Sequence, residues 1–204
     1  MLFKQVKMHG DNFSYLIADE NTKEAAVVDP GFDAREIENF LNGENLKLIF
    51  IINTHDHIDH VHGNDELRKR FGAKTVAHRL SKITADVNVD EGDVIRVGDV
   101  SVKVFYTPGH SADSICLLVN DKKLLTGDTM FVGSIGSTAM IGGDSSSMYD
   151  SLFNKLLKLE DDVEVYPGHD RGERKSSTLS EEKRSNKALQ ARSVAEFIEL
   201  VKRQ

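Results

Sequence analysis

The chain of 204 residues contains only three prolines, and each is followed by glycine. Asp29-Pro30-Gly31, Thr107-Pro108-Gly109 and Tyr166-Pro167-Gly168 each follow an apolar, strand-like run. Pro-Gly makes a tight turn that ends a strand and aims the next side chain outward. Two of the three turns are followed at once by histidine, His110 and His169, and Asp128 likewise follows a strand-like run and a glycine. This spacing predicts a covered sheet with polar residues gathered at its strand ends, the usual site geometry of α/β layers.

The remaining runs alternate in the same style. FKQVKM, NFSYLIAD and EAAVVD read as three strands in an antiparallel meander. DAREIENFLNGE carries Ile37, Phe40 and Leu41 at helical spacing, with Asp33 placed to cap it. Leu46 to Asn53 is a continuous apolar run of strand length, the mark of a strand covered on both faces. HGNDELRKRFG follows as a helix opened by His62 and stopped by Gly72, and KTVAH as another strand. Further on, DVIRVGDVSVKVFY holds two alternating strands, SICLLVNDKKLLTGDTMF a hairpin across Asn120-Asp121, and VEVYPGHD a short strand. MYDSLFNKLLKLE is an amphipathic helix whose apolar stripe, Met148 to Leu159, is assigned to packing. The length predicts a single domain over 1–204, with 176–204 a charged helical tail.

Composition removes several functions. Asp and Glu number 33 against 26 Lys and Arg, a net charge of -7, which argues against general nucleic-acid affinity. The basic stretch Glu66 to Lys74 is read as a solvated helix face. Cys116, the one cysteine, lies in an apolar run; it excludes an intrachain disulfide and suits a buried thiol in a reducing compartment. Charges at Lys4, Lys7 and Asp11 interrupt any signal-peptide core, and no window approaches the roughly 18 apolar residues of a membrane span. A cytoplasmic protein acting on a small molecule, without nucleic acid or membrane, is expected; a homodimer is left open.

The chemistry concentrates in NTHDHIDHVHGN, where four histidines and two aspartates fall within the eight residues His55 to His62. Imidazole and carboxylate suit zinc, iron or manganese. His55, His57, Asp59 and His60, joined by His110, Asp128 and His169, are too many donors for one tetrahedral ion. Seven donors with one carboxylate shared make two sites about 3.5–4 Å apart, the spacing of two-metal hydrolases. Asp56 alternates away from His55 and His57 and is assigned to solvent or a loop hydrogen bond. His62 is assigned to capping or to supporting a ligand, and His9 and His78 to structure. Asp29 is either a support for the site or simply a turn residue before Pro-Gly. The Gly/Ser-rich segment Gly133 to Ser147 is the one long loop, and such loops are commonly functional.

The ordered set HxHxDH, TPGHS, GDT and PGHD resembles the metallo-β-lactamase superfamily, and within it the glyoxalase II-like hydrolases and related persulfide dioxygenases. The resemblance runs from VVDPG through PGHD. It implies an α/β fold, an αββα sandwich of two mixed central sheets flanked by helices, with metals at one edge between the halves. It assigns His55, His57 and His110 to a first ion, Asp59, His60 and His169 to a second, and Asp128 to both. Two divalent cations follow, zinc first, with iron or manganese as alternatives. The implied nucleophile is a hydroxide held between them, with Asp59 orienting it. An aspartate at 128 argues against a true β-lactamase. A glyoxalase II-like hydrolase of thioesters or activated esters ranks first, a mononuclear iron persulfide dioxygenase using His55, His110 and Asp128 second, and a lactonase or other esterase of this fold after these. The sequence departs from both leading patterns in one loop. Ser137 stands where glyoxalase II has Lys or Arg. Ser137-Thr138-Ala139 replaces the Arg-Thr-Asp of the dioxygenases. The glutathione-binding helical domain of glyoxalase II is absent or reduced to the tail from Ser176.

Overall fold

The computed structural model describes residues 1–202; Arg203 and Gln204, the end of the expected tail, lie outside the described residues. The first half forms β1 (Leu2–Lys7), β2 (Phe13–Ala18), β3 (Glu24–Val28), α1 (Arg35–Gly43), β4 (Lys47–Ile52), α2 (Ile58–Val61), α3 (Asn64–Phe71), β5 (Lys74–His78) and β6 (Val87–Val89). Its six strands lie in sequence order in one sheet, with β1 to β3 antiparallel and β3 to β6 parallel.

The second half forms β7 (Val94–Val97), β8 (Val100–Tyr106), β9 (Ile115–Val119), β10 (Lys123–Gly127), β11 (Met130–Phe131), β12 (Ser134–Ile135), α4 (Ser145–Asp150), β13 (Glu164–Pro167), β14 (Ser177–Thr178), α5 (Leu179–Ser185) and α6 (Val194–Val201). Its main sheet runs β14-β13-β10-β9-β8-β7, all antiparallel except β10 with β13. β11 and β12 pair separately as a short hairpin.

Strand periodicity explains the layering. On β2, Phe13, Tyr15 and Ile17 point between the sheets, while Leu16 and Ala18 point to the outer face. On β9, Ile115, Leu117 and Val119 face inward and Cys116 and Leu118 outward. Both faces are apolar because both are covered. Ile37, Leu41 and Leu67 of α1 and α3 cover the first sheet. Met148, Leu152, Leu179 and Phe197 cover the second. The expected αββα sandwich with two mixed sheets is the fold. No helix among the described residues is long and apolar enough to cross a membrane.

Several local expectations need correction. Asp33 does not cap α1: the cap position is Ala34, which makes no side-chain cap bond. Asp33 instead has φ +66° and its Oδ1 accepts from Arg35 Nε at 2.6 Å. The guanidinium beside it holds its carboxyl down to about 2. His62 does not open a helix but closes α2, and its ring packs on Phe32, tilted by 37° with centroids 4.3 Å apart. The helix expected at Met148–Leu159 starts earlier, where Asp144 accepts from Ser147 N at 2.7 Å. It then widens into a π turn at Ser151–Lys155 and tightens over Leu156–Lys158. The tail is not wholly helical, because it enters through β14 before α5 and α6.

Candidate metal centre

All seven predicted donors converge at one edge of the sandwich, at the carboxyl ends of strands. His55 and His57 follow β4, and α2 carries Asp59 and His60. His110 follows the turn after β8, Asp128 follows β10 and His169 follows β13. Main-chain bonds join the halves beside them: Ile115 N donates to Thr54 O at 2.9 Å and Phe13 N to Gly168 O at 2.8 Å.

Two glycines permit this convergence. Gly109 has φ +146°, and a Cβ there would lie 2.4 Å from Met148 Cα. A Cβ on Gly168 would lie 2.5 Å from Asp128 Oδ1 and 2.9 Å from His60 Cε1. Any larger residue at 168 would fill the centre itself.

The donor atoms form three overlapping groups, each within 4.8 Å: His55, His57 and His110; His55, His60 and Asp128; and Asp59, His60 and His169. His57 Nδ1 lies 3.0 Å from both His55 Nε2 and His110 Nε2. His60 Nε2 lies 3.2 Å from His169 Nε2. Asp128 Oδ2 is 3.5 Å from His110 Nε2 and 3.3 Å from His169 Nε2, and its Oδ1 is 3.4 Å from His60 Nε2. Two ligand nitrogens on one tetrahedral zinc stand roughly 3.3 Å apart, given Zn–N bonds of about 2.0–2.1 Å. The spacing and chemistry of the donors therefore fit metal ions. Buried Asp128 Oδ1 adds to this, because it accepts no hydrogen bond among the described residues.

Four of the five histidines are also oriented from behind. Thr54 Oγ1 donates to Asp29 Oδ2 at 2.6 Å and lies 3.0 Å from His55 Nδ1, so that ring nitrogen carries the proton and Nε2 is free. His60 Nδ1 meets Asp29 Oδ2 at 3.1 Å, His110 Nδ1 meets Ser137 O at 2.8 Å, and His169 Nδ1 meets Asp11 Oδ1 at 3.0 Å. Four histidines thus present Nε2, and His57 presents Nδ1. Such backing fixes the tautomer and raises ligand basicity. Asp59 Oδ2 accepts from Asn12 Nδ2 at 3.1 Å.

Charge is arranged to match. Burial opposes a charged Asp128, yet His60, His169 and His55 around it hold its carboxyl well below the usual range. Burial likewise opposes a charged His60, but Asp128 and Asp29 on either side hold it well above its ordinary value. Burial, helped by neighbouring imidazoles, pushes His55 and His110 down and keeps them neutral. The carboxylates thus already compensate positive charge at the second group, while His55 and His110 of the first are neutral imidazoles.

The residues set aside lie where their other contacts put them. Asp56 accepts from Lys82 N at 3.2 Å, away from the donors. His78 is buried and stacks on Tyr106 with centroids 4.2 Å apart, and exposed His9 lies edge-on to Phe32. Asp29 is a buried support and more than a turn residue. Sequence reasoning missed Asp11 and Asn12. Neither lies in a motif, although their place at the end of the first meander turn was a signal of sorts. It also missed Glu182, which is buried and accepts from Gly133 N, Ser177 Oγ and Asn186 Nδ2. Glu182 thereby ties α5 to the loop whose Ser137 carbonyl holds His110.

The sequence pattern of the Metallo-beta-lactamase superfamily matches residues 9–84 and 79–169. The chain belongs to this superfamily. A hydroxyacylglutathione hydrolase of Pelagibacter ubique (strain HTCC1062) is 36% identical over 78% of this chain and 67% of that protein. Human mitochondrial persulfide dioxygenase ETHE1 is 32% identical over 93% of this chain and 75% of that protein. Among solved structures, ETHE1 from Myxococcus xanthus superposes with a TM-score of 0.93 at 36% identity, covering 99% of this chain and 90% of that one. Both branches anticipated from the motifs are thus represented among the relatives of this superfamily chain.

Proposed function

We propose that this chain is a metal-dependent hydrolase of a small-molecule thioester or activated ester, working with two divalent ions, zinc first. His55, His57 and His110 would hold one ion and Asp59, His60 and His169 the other, with Asp128 shared. The observation that carries this reading is the completeness of the second group. Asp59, His60 and His169 each have a supporting partner, Asn12, Asp29 and Asp11. A one-ion facial triad of His55, His110 and Asp128 would leave that investment without a use. When bound, the ions supply a water of lowered pKa and a Lewis acid for the substrate carbonyl.

The protein's own groups do the rest. Thr54, Asp29, Ser137 and Asp11 each hold the far ring nitrogen of a histidine and so aim its Nε2 at the centre. Asp59, a third exposed and kept ionised against burial by His60 and Asn12, would orient the attacking water, which gives up a proton as it attacks. The water oxygen joins the acyl carbon, the C–S or C–O bond breaks, and the leaving thiol or alcohol takes up a proton.

One observation favours a second reading, an iron persulfide dioxygenase: the likeness to ETHE1 covers more of this chain than the likeness to the hydrolases. Elemental analysis of protein purified without added metal, paired with turnover of a thioester and lactone panel, separates the two. Two ions per chain and ester turnover uphold the hydrolase. One iron, oxygen uptake with glutathione persulfide and no ester turnover would replace it with the dioxygenase.

A further inference from the structure

Resting on the hydrolase reading above, we propose that the site recognises a substrate bearing an uncharged alkyl or aryl group beside the scissile bond, in preference to the charged tripeptide glutathione. Seven large apolar side chains are exposed among the described residues. Leu80, Met140 and Ile141 line one cavity of about 660 Å³, and Ile58 lines a neighbouring one of about 810 Å³. The two cavities share Asp56, His57 and Lys82. Four of the seven exposed apolar residues therefore gather around His57, whose Nδ1 faces the first donor group. Ile141 is 98% exposed, Ile58 64%, Met140 54% and Leu80 50%. Apolar side chains left in water at the mouth of a polar centre mark a surface meant to be covered. A cavity of this volume is of the size that takes a small ligand.

Charge points the same way. The carboxylates and ammonium lining the smaller cavity are Asp56, Asp113 and Lys82, an excess of negative groups. Asp113 is buried; its Oδ1 accepts from Ser111 Oγ at 2.7 Å, and its Oδ2 has no hydrogen-bond partner among the described residues. The rim loop from Gly133 to Gly143, GSIGSTAMIGG, carries no charge. Glutathione brings two carboxylates, and on this wall Lys82 is the one cation placed to meet them. An alkyl chain would meet Leu80, Met140 and Ile141 instead.

The test uses the metal-loaded full chain and two substrate series, one lengthening the acyl group from acetyl to octanoyl on a fixed thiol, the other lengthening the thiol on a fixed acetyl group. S-lactoylglutathione serves as comparator. Complete burial of a methylene is worth about fourfold, so a half-open cavity should raise kcat/KM by about two- to threefold per methylene in one series. The series that responds tells which side of the bond faces the loop. Met140→Ser with Ile141→Ser should flatten that slope. Calorimetric binding of acetate, hexanoate and octanoate should tighten with length in the parent and much less in the variant. Turnover with flat slopes in both series, or a tenfold preference for S-lactoylglutathione over every alkyl substrate, overturns the proposal and leaves the hydrolase standing. No turnover of any ester sinks the hydrolase reading; the calorimetric series then decides alone, flat binding overturning the apolar cavity and tightening binding upholding it. A dimer that the double variant makes monomeric without changing the slope would assign the patch to a second copy and overturn the proposal.

Discussion

The first sheet supplies His55, His57, Asp59 and His60 from six consecutive residues behind one strand, β4, whereas the second supplies His110, Asp128 and His169 from the ends of three strands. The two halves also support their donors differently. Asp29, 3% exposed, receives Thr54 N, Thr54 Oγ1 and His60 Nδ1 at once. On the other side His110 rests on a loop carbonyl at Ser137, and His169 on Asp11, whose side chain is 47% exposed. The first half fixes its donors locally; the second is an assembly of three strand ends whose His169 leans on Asp11 of the first half. Each donor group takes residues from both halves, so a bound cation would clamp the two sheets together.

The largest expected effect comes from removing the donor that spans the comparison. Asp128→Ala deletes the carboxylate lying between both groups. Turnover should fall by roughly two to three orders of magnitude, the scale of losing a group that organises developing charge. Metal content should drop as well, by elemental analysis. Full turnover with both ions retained would show that Asp128 is not shared.

A second experiment sets the two supports against each other. Asp29→Ala strands buried Thr54 and His60 donors, and should cost about 3–5 kcal/mol in urea unfolding, as breaking a buried charged network does. Metal affinity should fall about 10- to 100-fold. Asp11→Ala loses a partly exposed contact and should cost at most about 1 kcal/mol, with the smaller loss of affinity. Equal costs would remove the distinction between the halves.

The same asymmetry governs what could be read from the sequence. HDHIDH was legible because its donors are consecutive, so no tertiary information was needed to group them. His110 and His169 were legible because Pro108-Gly109 and Pro167-Gly168 announce strand ends, and the order of motifs did the rest. The layers were legible from strand alternation and from the doubly apolar runs of β4 and β9. Asp11, Asn12 and Glu182 were not, because their meaning arises from pairings such as Asn12 with His169 and Gly133 N with Glu182, across long stretches of chain. Asp33 misled because a side chain at φ +66° that binds Arg35 looks, in sequence, like any other cap residue.

Chelation should loosen the assembled half more than the compact one. At free metal near a thousand times Kd, binding contributes about 4 kcal/mol by linkage, and removal should lower the melting temperature accordingly. Hydrogen exchange should then rise at His110, Ser137 and His169 more than at Thr54 and His55. A uniform rise across both halves would contradict the picture.

A last test concerns the second sheet alone, because the first contains no cysteine. Cys116 is fully buried on β9, with Sγ 3.3 Å from Thr107 Oγ1, just before the turn that carries His110. Burial pushes its thiol up to about 11. An unfolded chain releases this proton at about 8.5. The raised folded value means that the fold favours the neutral thiol. Its contribution is therefore complete below about pH 8.5 and is lost as pH rises toward 11, about 3 kcal/mol at most. The native protein should resist thiol reagents at pH 8. Between pH 9 and 11 the urea midpoint should fall more steeply for the parent than for Cys116→Ala, with exchange rising in β8 and β9 before β3 and β4. Parallel curves for the two proteins would mean that Cys116 does not couple to the stability of the sheet that carries His110.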